Sequence, residues 1–336
     1  MAGEDWAGPA VILPETFSIS EMASYGLNDP QMNAINADSV AERHGGAMLS
    51  SITAVSDDVA GRVYVLDNDY KKIVVFAPNG VPQRVILGGY GSGPGEFQQP
   101  THLVVNSGRI FVLDRGQPRV TIFDTVGTYI DSFKLTASPL PRGLAVSGDT
   151  IWILTKPGKR NRDGVVHLYS MDGELHSMVM SPTDRAIRFS RFGEPGDLSR
   201  MRNGSVIYLT GIPVIWAEFG ASGGTYRGRD LLPERVPREY NDGRFIVRGT
   251  PGGTRALGQL PNGRVAVLYF EIHGGLEGPT LYGGQYIGMF ADSGEPIGRY
   301  TLPDSLPFVK VFAVSKIDNA VFLAFSDPYP HVTKYG

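Results

Sequence analysis

The chain has 336 residues, of which 42% are hydrophobic and 19% are charged, and its formal net charge is −3. This balance excludes a disordered polar chain, and no block of basic residues is present to bind nucleic acid or an anionic membrane surface. The absence of cysteine excludes disulfides, thiolate metal sites and cysteine nucleophiles. No apolar run reaches the roughly 18 residues that a membrane-spanning helix needs.

The chain begins with residues 1–9 (MAGEDWAGP), which lack the basic and apolar segments of a signal peptide. Two locations therefore stay open: a cytoplasmic protein, or an exported one in which Met1 stands where an export signal was removed. The next run, residues 10–18 (AVILPETFS), is β-rich and has no strand partner close to it in the sequence.

A sequence repeat follows, and each copy consists of a glycine turn, a β-rich run, a polar loop and a second β-rich run. Its clearest copies are residues 61–80 (GRVYVLDNDYKKIVVFAPNG) and 108–127 (GRIFVLDRGQPRVTIFDTVG). Six copies are anchored at Val63, Ile110, Ile151, Val206, Val265 and Val321. Their intervals of 47, 41, 55, 59 and 56 residues fit units of four short strands. The sequence therefore predicts an all-β fold, a six-bladed β-propeller that forms one domain over residues 1–336.

The predicted blades cover residues 48–88, 100–136, 141–182, 197–250, 254–302 and 308–336. The last of these blades has only three strands of its own. We expect residues 10–18 to supply its fourth strand and so close the ring, because closure removes strand edges that would template aggregation.

The segment 88–105 (GGYGSGPGEFQQPTHLVV), with the strand that follows it and ends in Asp114, resembles the NHL-repeat family. The resemblance is strong in the first two blades, and it implies a propeller fold. It implies no single activity, because such propellers include lyases, hydrolases, lactonases and binding modules. Similar bacterial propellers are usually exported, so the resemblance also implies a periplasmic or extracellular location.

In a blade whose strands a, b, c and d run antiparallel, the d-to-a and b-to-c connections share one face of the disc. We call this the loop face, and the opposite side, with its tight glycine turns, the turn face. The predicted loops on the loop face are long and varied, including residues 22–47, 224–254 and 271–284. Function is usually found in such loops on a rigid scaffold.

The starts of the innermost strands are expected to line the mouth of the central channel on the loop face. The candidate ligand-binding residues there and in the adjoining loops are His102, Arg142, Arg200, Arg255, Lys310, Thr101, Asp67, Asp114, Glu271, Tyr282 and Tyr329. A ring of guanidinium and ammonium groups predicts an anion site. The alternative is that these cations pair with Asp67, Asp114, Glu96 or Glu271 and hold blades together.

A divalent metal is a further candidate, because neutral imidazoles with a carboxylate suit zinc. The candidate metal ligands are His102, His273 and His331, with Glu271 as the carboxylate. A calcium site is a weaker match, because the residues that follow the second strand differ from one blade to the next.

Three functions follow from these patterns. The first is a binding module for a small anionic ligand or a partner protein. The second is a metal-assisted lyase or hydrolase centred on the channel. The third is a structural subunit that docks to a larger exported or membrane-associated complex through the insertions 224–254 and 271–284.

Overall fold

The computed structural model describes residues 20–26, 47–155, 166–179, 196–209, 215–221, 227–230, 238–241, 244–247, 250–273, 281–327 and 329–336. Over these ranges the chain forms β-strands joined by turns and loops, and contains no helix. None of the described residues forms a helix long and apolar enough to cross a membrane.

Six four-stranded antiparallel sheets form the blades, and in five of them the strands follow one another in chain order from the innermost to the outermost, whereas in blade 6 the outermost strand is the first of the chain. Blade 1 consists of β2 (Ile52–Asp57), β3 (Val63–Asp67), β4 (Lys72–Phe76) and β5 (Pro82–Leu87). Blade 2 consists of β6 (Pro100–Asn106), β7 (Arg109–Asp114), β8 (Arg119–Asp124) and β9 (Tyr129–Lys134). Blade 3 consists of β10 (Pro141–Ser147), β11 (Thr150–Thr155), β12 (Val166–Tyr169) and β13 (Leu175–Val179).

The second half of the ring has the same strand order, with one added sheet. Blade 4 consists of β14 (Asp197–Arg200), β15 (Val206–Leu209), β16 (Ile215–Phe219) and β17 (Arg227–Asp230). Blade 5 consists of β20 (Thr250–Gln259), β21 (Val265–His273), β22 (Leu281–Phe290) and β23 (Pro296–Thr301). Blade 6 consists of β24 (Val311–Val314), β25 (Val321–Phe325), β26 (His331–Tyr335) and β1 (Glu21–Tyr25). A separate hairpin is formed by β18 (Arg238–Asn241) and β19 (Arg244–Val247).

The ring closes because every blade shares a hydrophobic core with each of its neighbours. In β3, Val63 and Val65 enter the core shared with blade 6, whereas Tyr64 and Leu66 enter the core shared with blade 2. This follows from the two-residue period of a strand, which sends alternate side chains to opposite sides of a sheet. Six such clusters occur, one for each interface between neighbouring blades. The six-bladed propeller predicted from the sequence is confirmed.

The prediction that an N-terminal strand completes the last blade is confirmed, but the strand is a different one. Glu21–Tyr25 pairs antiparallel with β26, with Tyr25 opposite Val332. Residues 10–18, predicted for this role, lie outside the described residues. Tyr25 is 1% exposed and packs edge-on against Phe76 and Phe322, so a buried aromatic anchors the closing strand.

The predicted loops on the loop face need three corrections. Residues 22–25 belong to the closing strand and not to a loop. The segment 224–254 contains β17, the β18–β19 hairpin and the beginning of β20. Within 271–284, β21 continues to His273 and β22 begins at Leu281. These stretches resemble loops in sequence because their strands carry glycine and charged residues in place of an alternating apolar pattern.

Candidate functional site

A cavity of about 670 Å³ runs through the centre of the ring and is lined by all six innermost strands. Its volume lies within the range of small-molecule sites. Seven lining residues carry a positive charge and only two, Asp58 and Asp197, are acidic, although the whole chain has a net charge of −3. The positive residues are Arg62, Arg115, Arg142, Arg200, Arg202, Lys310 and Lys316.

At the loop-face end, three strand beginnings and one loop bring four polar side chains into the lining: His102, Arg115, Arg142 and Asp197. We refer to these four residues as the loop-face site. They come from β6, the loop after β7, β10 and β14, in blades 2, 3 and 4.

A bulge at the beginning of the innermost strand recurs in several blades. The register shifts between Ile52 and Ala54, and Arg142 is likewise the extra residue between Pro141 and Gly143. Blades 2 and 5 have corresponding bulges at Thr101 and Arg255. Because a bulge re-aims a side chain and disrupts the ladder locally, it allows a polar residue to occupy the start of a buried strand.

Arg142 has an unsatisfied donor. Its Nε atom is buried and has no hydrogen-bond partner among the described residues. A buried donor without a partner costs free energy, and functional sites are one place where that cost is retained. The residue as a whole is half-buried and lines the cavity, so an anion there would meet the terminal nitrogens of its guanidinium group.

His102 is held neutral at physiological pH. Burial lowers its pKa to about 4, and the positive charges of Arg115 and Arg142 contribute to the shift. Its Nδ1 atom lies 3.0 Å from the Thr101 hydroxyl, which itself donates to the Leu113 carbonyl. The Thr101 oxygen is therefore left to accept from Nδ1–H, and Nε2 keeps its lone pair.

Asp197 is the fourth member of the loop-face site. Its Oδ1 atom accepts a hydrogen bond from the Leu198 amide at 2.8 Å. Burial raises the pKa of this carboxyl to about 7, and the Leu198 amide opposes the shift. A Cβ atom at Gly143 would lie 3.7 Å from the same oxygen, so the carboxyl lies against the residue that follows Arg142. Sequence reasoning missed Asp197, although it is a charged residue at a strand start, as His102 and Arg142 are.

The structure places the other cationic candidates differently. Lys310 lines the loop-face end of the cavity, just before β24. Arg200 also lines the cavity, but it ends β14 and therefore lies towards the turn face, because β14 begins at Asp197. The side chain of Arg255 lies outside the described part of the chain.

Asp67 and Asp114 are fully buried and do not line the cavity. Asp114 accepts hydrogen bonds from the amides of Gln98, Gln99 and Gly116 at 2.7–2.9 Å. Asp67 has the same role in blade 1, where it accepts from the Ser50, Asp69 and Tyr70 amides. Both carboxylates fix the preceding loop to the end of the second strand, so they are saturated by backbone donors and do not neutralise the cavity cations.

The remaining predicted residues lie elsewhere or outside the described side chains. Tyr329 and His331 pack against each other in blade 6, with ring centroids 5.1 Å apart, and do not line the cavity. Thr101 contacts His102 but is not itself in the lining. The side chains of Glu271, His273 and Tyr282 are not described.

The described residues do not fit a metal ion. They contain no group of three or more potential ligands among His, Asp and Glu. His102 is the imidazole that lines the cavity, and two guanidinium groups act on it, which disfavours a divalent cation nearby.

A second polar cluster is buried away from the cavity, in blade 3 and the loop before it. The Ser138 hydroxyl lies 2.6 Å from His167 Nδ1 and 2.9 Å from the Tyr169 hydroxyl. All three residues are 0–1% exposed, so no substrate reaches this serine–histidine pair. The cluster satisfies buried polar groups between strands.

Comparisons with known proteins agree with this architecture. A family model, DUF5128, described as a 6-bladed β-propeller, matches residues 47–150. A search of curated proteins gives no significant match. The matched segment covers blades 1 and 2 and the beginning of blade 3, and so includes His102, Arg115 and Arg142.

Solved structures resemble the chain at low identity. A putative exported protein from Bacteroides fragilis has a TM-score of 0.60 at 11% identity and covers 97% of this chain and 98% of its own. A member of the duf4221 family from Bacteroides vulgatus has a TM-score of 0.60 at 12% identity, with 95% and 98% covered. Virginiamycin B lyase from Staphylococcus aureus has a TM-score of 0.53 at 10% identity, with 85% and 94% covered. At these identities the likeness establishes the fold alone.

Proposed function

We propose that this propeller is a binding module that holds a small anionic molecule at the loop-face end of its channel. The observation that carries the proposal is the charge of the loop-face end of the cavity, where Arg115, Arg142 and Lys310 line the channel with one acidic residue, Asp197. A guanidinium group binds carboxylate or phosphate oxygens through two parallel hydrogen bonds, which makes it the appropriate donor for such a ligand.

The cavity is suited to an anion by the excess of positive charge in its lining. The nearby carboxylates Asp67 and Asp114 are saturated by backbone amides, as described above. The neutral state of His102 also reflects a positive local potential, since Arg115 and Arg142 resist a third positive charge. An anionic ligand would lower this potential, and the low dielectric of the channel would strengthen the attraction.

The turn-face end of the channel holds a further cation, Lys316. There the Lys316 ammonium donates to Ser56 Oγ, the Asp57 carbonyl and the Val105 carbonyl, at 2.6–2.8 Å. These bonds hold the side chain across the innermost strands of blades 1 and 2. Turn-face residues such as Asp58, Val59 and Arg202 also line the cavity, so the cavity extends to that end as well.

An exported location belongs to the same proposal. It is supported by the NHL-like segment 88–105 and by the likeness to a protein described as a putative exported protein. The metal-assisted lyase or hydrolase stays a prediction, with no cluster of ligands among the described residues to support it. Docking to a larger complex through the two insertions also stays a prediction.

The test is isothermal titration calorimetry with inorganic phosphate, sulfate, citrate and D-gluconate. Arg142→Gln is compared with Arg109→Gln, which removes the same charge from an exposed position outside the cavity. Loss of a charge-assisted hydrogen bond predicts binding weakened by about tenfold or more in Arg142→Gln and unchanged in Arg109→Gln. The proposal is overturned if no anion binds the unaltered protein at millimolar concentration, or if both variants weaken binding equally.

A further inference from the structure

The loop-face site joins two kinds of polar group on adjacent positions of the ring. Arg115 and Arg142 are permanent cations that only donate hydrogen bonds. Asp197 and the neutral His102 can accept hydrogen bonds. A site for a bare anion such as sulfate has no need of a carboxyl group in its lining, because that group repels the ligand once it is ionised. Asp197 therefore requires an explanation beyond anion binding.

Asp197 has acceptor capacity that the described part of the protein leaves unused. Its side chain accepts a hydrogen bond from the Leu198 amide at Oδ1, and a carboxylate has lone pairs for several more. The Asp197 carboxyl lies in van der Waals contact with the chain next to Arg142, since a Cβ at Gly143 would be 3.7 Å from its Oδ1 atom. A ligand group held by Asp197 would thus be a near neighbour of the group held by Arg142.

His102 adds a second acceptor on the other side of Arg142 in the ring. With Nδ1–H directed to the Thr101 hydroxyl, the lone pair on Nε2 can accept from a ligand donor. The pKa of His102, near 4, keeps that lone pair free of a proton at physiological pH.

We propose that the ligand of the loop-face site is a hydroxylated carboxylic acid, of the sugar-acid class, in which Arg142 binds the carboxylate and Asp197 binds the adjacent hydroxyl group. This inference rests on the proposed function, because it names the substrate class of the same site. The cavity volume of about 670 Å³ accommodates a molecule of this size with its remaining hydroxyls solvated.

A hydroxyl group is a better partner than an ammonium group at this position. A bound ammonium would need an ionised Asp197, but burial raises the pKa of that carboxyl to about 7. It would also lie beside the guanidinium of Arg142 in a channel with an excess of positive charge. A hydroxyl group donates to the ionised carboxyl and accepts from the protonated one, so it fits both states.

The experiment compares three ligands that differ at the carbon next to the carboxylate: D-gluconate, 2-deoxy-D-gluconate and 2-amino-2-deoxy-D-gluconate. Calorimetric titration at pH 7 is expected to give D-gluconate the highest affinity, about tenfold above the 2-deoxy acid, as befits a hydrogen bond to a charged group. In Asp197→Ala this preference is expected to fall to nearly one, while both acids still bind. Asp197→Asn, which keeps a hydrogen-bonding side chain, is expected to retain most of it.

The outcomes separate the two proposals. Equal affinity for D-gluconate and the 2-deoxy acid, or an unaltered preference in Asp197→Ala, overturns the hydroxy-acid inference while anion binding stands. Tightest binding of the 2-amino acid also overturns it, in favour of a zwitterion site. If Arg142→Gln leaves all three affinities unchanged, the proposed anion site itself is wrong.

Discussion

The Nζ atom of Lys316 lies 2.6 Å from the carbonyl oxygen of Val105, a residue 211 positions earlier in the chain. Lys316 follows the innermost strand of blade 6, and Val105 belongs to that of blade 2. The same ammonium donates to Ser56 Oγ and to the Asp57 carbonyl in blade 1, and the Lys316 amide donates to the Asp57 carboxylate. One residue thus joins three blades where the ring closes.

Replacing Lys316 by methionine tests this junction. Methionine fills a similar volume but leaves three oxygen acceptors without their donor. Burial lowers the pKa of Lys316 to about 8, so the variant also gains from removing a desolvated charge. The net loss in the free energy of unfolding is expected to be about 1–3 kcal/mol, measured by urea denaturation. As a control, Lys134→Met, at an exposed position in the outer strand of blade 2, should change the free energy of unfolding by less than about 0.5 kcal/mol. Equal losses in the two variants would show that Lys316 does not stabilise the contact between the three blades.

The pKa of His102 reports the electrostatics of the loop-face site. NMR titration of the imidazole, assigned by the signal lost in His102→Gln, is expected to give a value near 4. Arg142→Gln should raise this pKa, because it removes one of the two guanidinium charges that oppose protonation. Burial, the larger cause, remains, so the value should stay below the ordinary 6.5.

The control for this measurement is Arg109→Gln, which should leave the His102 pKa where it was. The low pKa of His102 also determines how the stability of the folded protein changes with pH. Since the folded-state pKa lies below the unfolded one, protonation favours the unfolded chain, and His102 costs stability as the pH falls from about 6.5 to about 4. A His102 pKa near 6.5 in the unaltered protein would show that the site is neither buried nor positive.

Substitution of Asp114 tests whether its carboxylate has a structural role or binds the ligand. Asp114→Ala removes the acceptor for three backbone amides, two of them in the loop before β6. We expect a loss of about 2–4 kcal/mol in the free energy of unfolding, with D-gluconate affinity unchanged at temperatures where the variant is folded. Asp131→Asn, in an exposed position of β9, serves as the control. Weakened ligand binding without lost stability would assign Asp114 to the site.

Substitutions of Tyr25 test how much the closing strand β1 stabilises the ring. Tyr25 packs 5.9 Å from Phe76 and 6.0 Å from Phe322 between ring centroids, and its hydroxyl donates to the Pro78 carbonyl at 3.2 Å. Tyr25→Ala is expected to cost about 3–5 kcal/mol, as for other large aromatic truncations in a core. Tyr25→Phe, which loses only the hydrogen bond, should cost about 1 kcal/mol. A Tyr25→Ala variant as stable as Tyr25→Phe would mean that β1 does not close the ring.

The blade architecture can be predicted from local sequence, because a two-residue apolar period and glycine turns repeat at the length of a blade. In blade 2 the pattern predicts strands over residues 102–106, 109–114, 119–124 and 129–135, and the four observed strands begin and end within two residues of these bounds. Local patterns sufficed there because each strand pairs with its neighbour in the chain. The closing strand was misplaced because β1 pairs with β26, whose Tyr335 lies more than 300 residues away, and no local signal encodes that register.

Which charged residues act together depends on the tertiary structure. Asp114 and Asp197 are both aspartates at strand ends, yet one is saturated by backbone amides and the other lies in the cavity lining with acceptor capacity to spare. Arg142 and Arg200 are both on innermost strands, yet Arg142 is near the beginning of β10 and Arg200 ends β14, so they lie at opposite ends of the channel. Composition sets how many charges the chain carries, whereas their burial, pairing and direction depend on the packing of strands from different blades around a common axis.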